Sequence, residues 1–466
     1  MPKTFVGARL RGLRKERGLS QASLAEALKI SPSYLNQIEH DVRPLSVPVL
    51  LRITDVFGVD TSFFNSQDQT RLIAELREVT LEIDAPTSTE ELSEVARDHP
   101  GFAQAMVALH RRYVNAADQL AQATDGRSAP HARGTVSSPH EEVRDFFYHR
   151  QNYFHEIDTA AEELTTRMRM HSTDVRAEIV HRLETVHDVS IRMRIDLGDG
   201  VLHRYDPKSR VLEVSRHLSG GQQVFKMAAE LSFLECARQF DELTGGAEFT
   251  SDEARRLALQ GLANYYAAAV VLPYTQFHGA AEEYGYDIER LSAFFAVSYE
   301  TVAHRMSTLQ RPNLRGVPLS FVRVDRAGNM SKRQSSTGFH FSASGGTCPL
   351  WNVYETFAWP GKILVQVVEM PDNRNYMWVA RTVERRAARY GQPSKTFAIG
   401  LGCELRHAHR LVYARGLDLE NTNATPIGAG CRVCERENCP QRAFPAIGRP
   451  LDVDEHRSTI SPYHVR

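Results

Sequence analysis

Three cysteines, Cys431, Cys434 and Cys439, stand in "GCRVCERENCPQRAFP" with two and then four residues between them, in a chain of 466 residues that has six cysteines. Iron–sulfur clusters take four thiolates, commonly several close together and one remote, and Cys-Pro endings like Cys439-Pro440 occur among ferredoxin ligands. A fourth ligand is needed. Cys403, on the edge of an adjacent segment, is taken first, and Cys348 in "GGTCPLWN" is the reserve. Zinc also accepts four sulfurs, or three with His407 or His409, but favours two Cys-x2-Cys knuckles where this chain has one. The expected metal site is therefore Cys403, Cys431, Cys434 and Cys439, holding a [4Fe-4S] cluster ahead of zinc. Cys236, alone on an apolar helix, reads as a buried core thiol. No apolar run approaches the ~20 residues that span a bilayer, and the N-terminus lacks the apolar core of a secretory signal. A cytoplasmic protein with no membrane partner is expected, and there clustered thiols hold metal more often than disulfides.

Strands are expected to position these thiols. From residue 317, "LSFVRVDRAGNMSKRQSS" reads as a hairpin and "ILVQVVEMPDNRNYMWVARTV" as another. "TFAIGLGCELRH" reads as a strand leading into a short helix. An α+β sensory-type domain over 316–466 accommodates all three. Apolar content of 42% and charged content of 24% are those of an ordinary soluble globular protein. The net charge of −1 acquires meaning only by segment: residues 1–67 carry nine Lys/Arg against six Asp/Glu, a basic excess of three.

That basic segment reads as short helices, with Leu10, Leu13, Leu24, Ala25, Leu28, Leu35, Ile38, Leu50, Ile53 and Val56 at helical spacings. Ser20 and Ser31 are natural N-caps, Pro32 sits at a first helical position, and small Ala25 lets two helices cross closely. The helix "SPSYLNQIEH" turns Ser33, Tyr34, Asn36 and Gln37 outward, residue types that hydrogen-bond base edges and phosphates in a major groove. Ser31 caps it, Gln21 is placed for a phosphate, and Arg9, Arg14 and Arg43 supply charge at the rim. "GLSQASLAEALKISPSYLNQIE" resembles the phage-repressor-like helix-turn-helix family over about sixty residues. The expected partner is a double-stranded DNA operator.

Residues 68–137 read as a helical connector and linker. Thr87 and Glu90 have capping-box spacing, and the long amphipathic helices either pair two chains into a dimer or higher oligomer or pack on their own chain. The linker "TDGRSAPHARGTVSSP" follows. After it, Ser138, Pro139 and Glu141 start one strong helix, "PHEEVRDFFYHRQNYFHEIDTAAEELTTRMR", whose aromatics exceed one core stripe. The segments "GGQQVFKMAAELSFLECARQF" and "DEARRLALQGLANYYAAAVVLP" resemble the IrrE-like metallopeptidases, whose zinc helix has the form His-Glu-x-x-His. Here the matching positions are Ala229, Glu230 and Phe233, with Leu262 where the acidic third ligand belongs. A hydrolytic zinc needs three protein ligands and a water, so a degenerate domain over 138–315 keeps the scaffold and loses the peptidase. An old substrate cleft remains for another ligand. "LSAFFAVSYETVAHRMSTL", with Ser298 as a cap, looks like a second helix-turn-helix and is read as packing.

The whole chain resembles the short-chain fatty acyl-CoA-responsive transcriptional regulators of actinobacteria. The likeness rests on the head "GLSQASLAEALKISPSYLNQIEHDVRPL", the decayed IrrE-like core, and "FAIGLGCELRHAHRLVYARGLDL" with the cysteine tail. The resemblance implies a non-enzymatic α+β multidomain regulator, acting as repressor or activator of acetate or propionate use through the glyoxylate or methylcitrate cycle. It further implies a short-chain acyl-CoA effector and, in some members, a [4Fe-4S] cluster. An acyl-CoA site needs cations, stacking surfaces and an apolar slot, for which Arg323, Lys332 and Arg333 on the hairpin and Arg150 and Tyr153 after the linker are the assigned residues. Two other readings stay open: a zinc-stapled regulator without redox sensing, and an IrrE-type protease, against which the missing ligands argue.

Overall fold

The computed structural model describes residues 19–39, 66–124, 139–169, 175–337, 348–385 and 394–431 with few single-position gaps, together with scattered positions in 7–14, 42–53 and 434–456 and Phe339. Two compact units account for the chain, Met1–Val114 and Asn115–Phe444, with short pieces of the C-terminal tail assigned to each. Expected core positions Leu13, Leu50 and Val56, the rim residue Arg9 and the helix-starting Ser138 lie outside the described residues.

In the first unit, α1 (Gln21–Ala27) and α2 (Pro32–Glu39) form the helix-turn-helix. The Ser20 hydroxyl accepts the Ser23 amide and the Ser31 hydroxyl accepts the Tyr34 amide, each at 3.1 Å, so both helix starts are capped as their sequence dictates. Leu10, Leu24, Ala25, Leu28, Leu35, Ile38, Val49 and Ile53 make one small core. Next come α3 (Ser66–Glu82), α4 (Thr89–Asp98) and α5 (Pro100–Thr124). They pack through Leu72, Leu76, Val79, Leu92, Ala96, Ala103 and Val107. The capping box at α4 is Ser88 with Glu91, one residue later than the expected Thr87 and Glu90. Thr87 instead donates its hydroxyl to the Ala85 carbonyl at 3.0 Å and is unavailable as a cap.

The second unit opens with α6 (Pro139–His149), α7 (His155–Arg169) and α8 (Val175–Thr185). The single helix expected here is broken, because Gln151 and Asn152 both take left-handed conformations with φ of 50° and 57°. Asn152, buried, donates to the Ser335 carbonyl at 3.3 Å, which holds the break in place. It also explains the surplus of aromatics, since Phe146, Phe147 and Phe154 meet across the bend with ring centroids 5.0 to 5.6 Å apart. A three-stranded sheet of β1 (Ser190–Arg194), β3 (Val211–Ser215) and β2 (His203–Asp206) follows, in that spatial order. Then come α9 (Gly220–Glu235), α10 (Ala237–Gly245), α11 (Asp252–Val271), α12 (Tyr274–Glu283), α13 (Ile288–Phe295) and α14 (Tyr299–Met306). Ser298 caps α14 as expected, and Tyr299, Val302, Ala303, Arg305 and Met306 are buried, so this second helix pair packs inward.

The C-terminal sheet has the order β5-β4-β8-β7-β6-β9, from β4 (Ser320–Val324), β5 (Met330–Ser335), β6 (Leu364–Glu369), β7 (Asn375–Arg385), β8 (Lys395–Glu404) and β9 (Thr425–Pro426). Both expected hairpins pair antiparallel, and β9 joins β6 in parallel. Strand alternation gives the sheet two apolar faces. Phe321, Met377, Val379, Ile399, Leu401 and Cys403 pack on α12 to α14. On the other face Val322, Trp378, Ala398 and Ala380 pack with Phe339, Cys348, Trp351 and Ile427. Gly402 is required on that second face, since a Cβ there would lie 2.4 Å from the Trp378 ring.

Candidate functional site

The polar face of α2 is built from underneath. Arg14 grips the buried Glu39 carboxylate through two bonds, Nε to Oε1 at 2.6 Å and a terminal nitrogen to Oε2 at 3.0 Å. Gln21 donates to the same carboxylate at 3.0 Å and to Asn36 Oδ1 at 3.1 Å. Arg14 is therefore an internal strut, with its guanidinium spent on Glu39, rather than a charge at the rim. The Gln21 side chain likewise locks α1 onto α2, and the helix-start amides beside it are the donors such a helix leaves open. Above this network Ser31, Ser33 and Asn36 are exposed, Tyr34 and Gln37 are half-buried, and Arg43 is exposed with its guanidinium 5.9 Å from the Tyr34 ring centre. All seven expected DNA-contacting residues thus cluster about α1, α2 and the turn after α2.

The cysteines divide. Cys403 is fully buried among Ile399, Leu401 and Met377, opposite Met377 in the ladder, on the α12–α14 face of the sheet. Cys348 is on the other face with Trp351, Trp378 and Ile427. Cys348 interacts electrostatically with Cys434 and Cys431, and Cys434 with Cys439. The structure therefore replaces Cys403 by Cys348 as the companion of the Cys431, Cys434 and Cys439 loop. The reason is strand phase: Cys403 points with the large apolar residues of β8, and the sheet stands between it and the loop.

Burial pushes the Cys348 and Cys434 thiols up, while backbone amides act the other way: Gly428 and Leu350 on Cys348, Arg436 on Cys434. Gly428 must be glycine, because a Cβ there would lie 2.6 Å from Cys434 Sγ. The buried Arg442 ties the loop together, donating to the carbonyls of Cys431 at 3.2 Å, Cys434 at 2.9 Å and Arg436 at 2.5 Å. Among the described residues, no three His, Cys, Asp or Glu side chains are arranged to hold a metal ion as they stand.

The five residues assigned to acyl-CoA do not form one site. Arg150 lies flat over Phe146, 4.3 Å from its ring centre, and burial lowers its pKa. Tyr153 accepts from Arg311 Nε at 3.0 Å. Arg323 pairs with Glu300 at 2.8 Å. Lys332 faces Arg323 across the hairpin, whereas Arg333 is opposite Val322 and so on the other face. None of the five lines the cleft of about 690 Å³ that opens over α9 and α11. Its lining includes Ala229 and Phe233, two of the degenerate zinc positions, while Leu262 is fully buried. Glu230 sits 3.8 Å from His203; burial raises the carboxyl, and burial with the neighbouring Lys226 lowers the imidazole.

A further cluster was not foreseen. Asp158 on α7 and Arg305 on α14 are both fully buried and bonded at 2.5 Å. Tyr265 on α11 also donates to Asp158, and nearby Arg311 pairs with Glu162 at 2.6 Å. No sequence signal links an acid and a base 147 positions apart. Among the described residues no helix is long and apolar enough to cross a membrane.

Comparison with known proteins places three families along the chain. Residues 10–64 match a helix-turn-helix family, 184–307 the IrrE N-terminal-like domain, and 308–463 the short-chain fatty acyl coenzyme A regulator, C-terminal domain. The HTH-type transcriptional regulator RamB of Mycobacterium tuberculosis is 69% identical over the full length of both chains. PrpR of the same species, also named an HTH-type transcriptional regulator, is 44% identical across 99% of this chain and 96% of its own. A propionyl-CoA carboxylase regulator from Cereibacter sphaeroides is 39% identical across 99% of both. A solved M. tuberculosis transcriptional regulator is 46% identical, with a TM-score of 0.68, covering 70% of this chain and 99% of that one.

Proposed function

Because this chain belongs to the short-chain fatty acyl coenzyme A regulators and is a transcriptional regulator rather than an enzyme, we propose that it binds operator DNA to control acetate or propionate metabolism in response to a short-chain acyl-CoA. The names of its relatives support the metabolic assignment. The observation that carries DNA binding is the exposed Ser33 and Asn36 face on a helix whose pose is locked by Arg14, Gln21 and buried Glu39. Asn36 and Gln37 read base edges, while Ser31, Ser33, Tyr34, Arg43 and the α1 start hold phosphates. On a duplex selected by the protein from a randomised pool, Asn36→Ala is expected to cost about 1–3 kcal/mol of binding and relax one base position. Fluorescence anisotropy at fixed salt measures this. An equal loss on every sequence would reassign Asn36 to the phosphate backbone.

Operator binding is best served by a dimer. Phe102, Leu109 and Tyr113 are 63%, 68% and 68% exposed on α5, and with Met106 they alternate four and three residues apart. Ala116, Leu120 and Ala123 continue that spacing in the sequence. Such a seam is what two helices bury against each other. Leu109→Glu is expected to shift the protein to monomer in sedimentation velocity and to weaken operator binding; an unchanged sedimentation coefficient would move the interface elsewhere.

The cysteine loop supports a cluster ligated by Cys348, Cys431, Cys434 and Cys439. The residues fit the group: four thiols share one region, amides point at two of the sulfurs, and Gly428 leaves room at Cys434. Arg442 Nε is buried without a hydrogen-bond partner among the described residues, and its charge offsets that of clustered thiolates. A bound [4Fe-4S] cluster would supply a one-electron, oxygen-sensitive input. Zinc on the same sulfurs would make the loop a structural staple.

A further inference from the structure

We infer that the cleft over α9 and α11, left where a zinc peptidase holds its metal, is the effector pocket, with an acyl chain on the Ala229–Ala263 floor and the coenzyme phosphates at Lys226 and Arg256. This rests on the acyl-CoA reading above and assigns it a place. Three features of the cleft carry it.

The first is the floor. Histidines at positions 229 and 233 would fill this space and fix an ion; Ala229 and the neighbouring Ala263 leave it open and apolar, and Phe233, 41% exposed, presents its ring to it. The second is charge. Among the lining residues Glu253 is the one carboxylate, against Lys226, Arg256, His140 and His203. That balance favours an anion at the mouth and an uncharged group within. The third is shape. A volume of about 690 Å³ falls within the range of small-molecule sites, ~300–1,000 Å³. Between floor and mouth, Gln260 and Asn264 stand one helical turn apart. Asn264 donates to the Gln260 carbonyl at 2.8 Å, which leaves its own amide oxygen as an acceptor for an amide-bearing stem. A coenzyme A thioester has these parts in this order: short apolar acyl group, two amides, phosphates.

The test is isothermal titration of the full-length protein with acetyl-CoA, propionyl-CoA and free coenzyme A. Ala229→Leu fills the floor, so both thioesters are expected to weaken about tenfold or more while free coenzyme A changes little. Arg256→Glu, at an exposed position, is expected to weaken all three by about three- to tenfold, most at low salt. If Ala229→Leu fails to fold, as its thermal melt would reveal, the Arg256→Glu series decides alone. Wild-type protein that binds thioester while both folded variants bind equally well places the pocket elsewhere and overturns this inference. Wild-type protein that binds none of the three overturns the acyl-CoA reading itself.

Discussion

Arg305→Ala is expected to destabilise the second compact unit by about 3–5 kcal/mol, the cost typical of stranding one member of a buried ion pair. Arg305 and Asp158 have no solvent exposure. Arg305 donates to Asp158 at 2.5 Å, to the Leu272 carbonyl at the end of α11 at 3.1 Å, and to Thr308 at 3.1 Å. Burial works against the guanidinium's charge, but Asp158 more than offsets this and holds its pKa above the ordinary value. Removing the arginine leaves the carboxylate inside the protein with Tyr265 as its remaining donor. It also leaves the Leu272 carbonyl without its side-chain donor. Arg305→Lys should recover little, because an ammonium cannot span the carboxylate, a backbone carbonyl and a hydroxyl in one plane. The double variant Asp158→Leu with Arg305→Met should be far less damaging than either charge deletion, since an apolar pair of similar volume has no charge to strand. Urea unfolding of the full chain, followed through the buried tryptophans of the C-terminal sheet, reads the transition of this unit. A shift below about 1 kcal/mol for Arg305→Ala would mean that water or relaxation satisfies Asp158, and the pair would not be the clamp between α7, α11 and α14 described above.

What could be read from the sequence follows how far apart the deciding residues are. The helix-turn-helix was legible because its determinants are local: caps at Ser20 and Ser31, a small Ala25, and an apolar period of three and four. The same held for the degenerate zinc site, since a missing ligand is a property of one position. The break after α6 was missed because Asn152 owes its left-handed turn to a carbonyl 183 residues away. The Asp158–Arg305 pair was invisible for the same reason. The acyl-CoA residues were chosen as exposed cations, yet Arg150 and Arg323 are committed to Phe146 and Glu300, and the cleft exists only once α9 and α11 have packed. The fourth cysteine is different, because a local signal was present. In "AIGLGC" the large residues Ile399 and Leu401 share their strand phase with Cys403, while Ala398, Gly400 and Gly402 face Trp378 and Cys348. Reading that alternation would have put Cys348 ahead of Cys403.

Strand phase also sets the outcome of the second large effect. Cys348→Ser is expected to abolish iron binding in protein purified without oxygen, whereas Cys403→Ala should retain about four irons per chain. Cys403→Ala removes a sulfur from the α12–α14 face of the sheet and should cost roughly 1 kcal/mol of stability, the scale of a small core truncation. It cannot affect ligation across the sheet. Tryptophan fluorescence supplies a second readout that does not depend on metal analysis. Trp351 and Trp378 are 2% and 0% exposed and share a core with Cys348, their ring centres 4.6 Å apart, while Trp359 is 60% exposed. An iron–sulfur chromophore beside the buried pair quenches it, so oxidative loss of the cluster should raise the buried-tryptophan emission and leave the exposed one unchanged. Zinc in place of iron would give a colourless protein with one metal and no such quenching, and the loop would then be a staple whose loss unfolds the C-terminal sheet. Iron retained in Cys348→Ser but lost in Cys403→Ala would reverse the assignment and require β8 to present its opposite face to the loop. That would take a one-residue slip of β8 against both β4 and β7, exposing Ile399 and Leu401 to the wrong core and driving Gly402 away from Trp378. The ladder on both sides of β8 opposes that slip, which is why the fourth sulfur is assigned to Cys348.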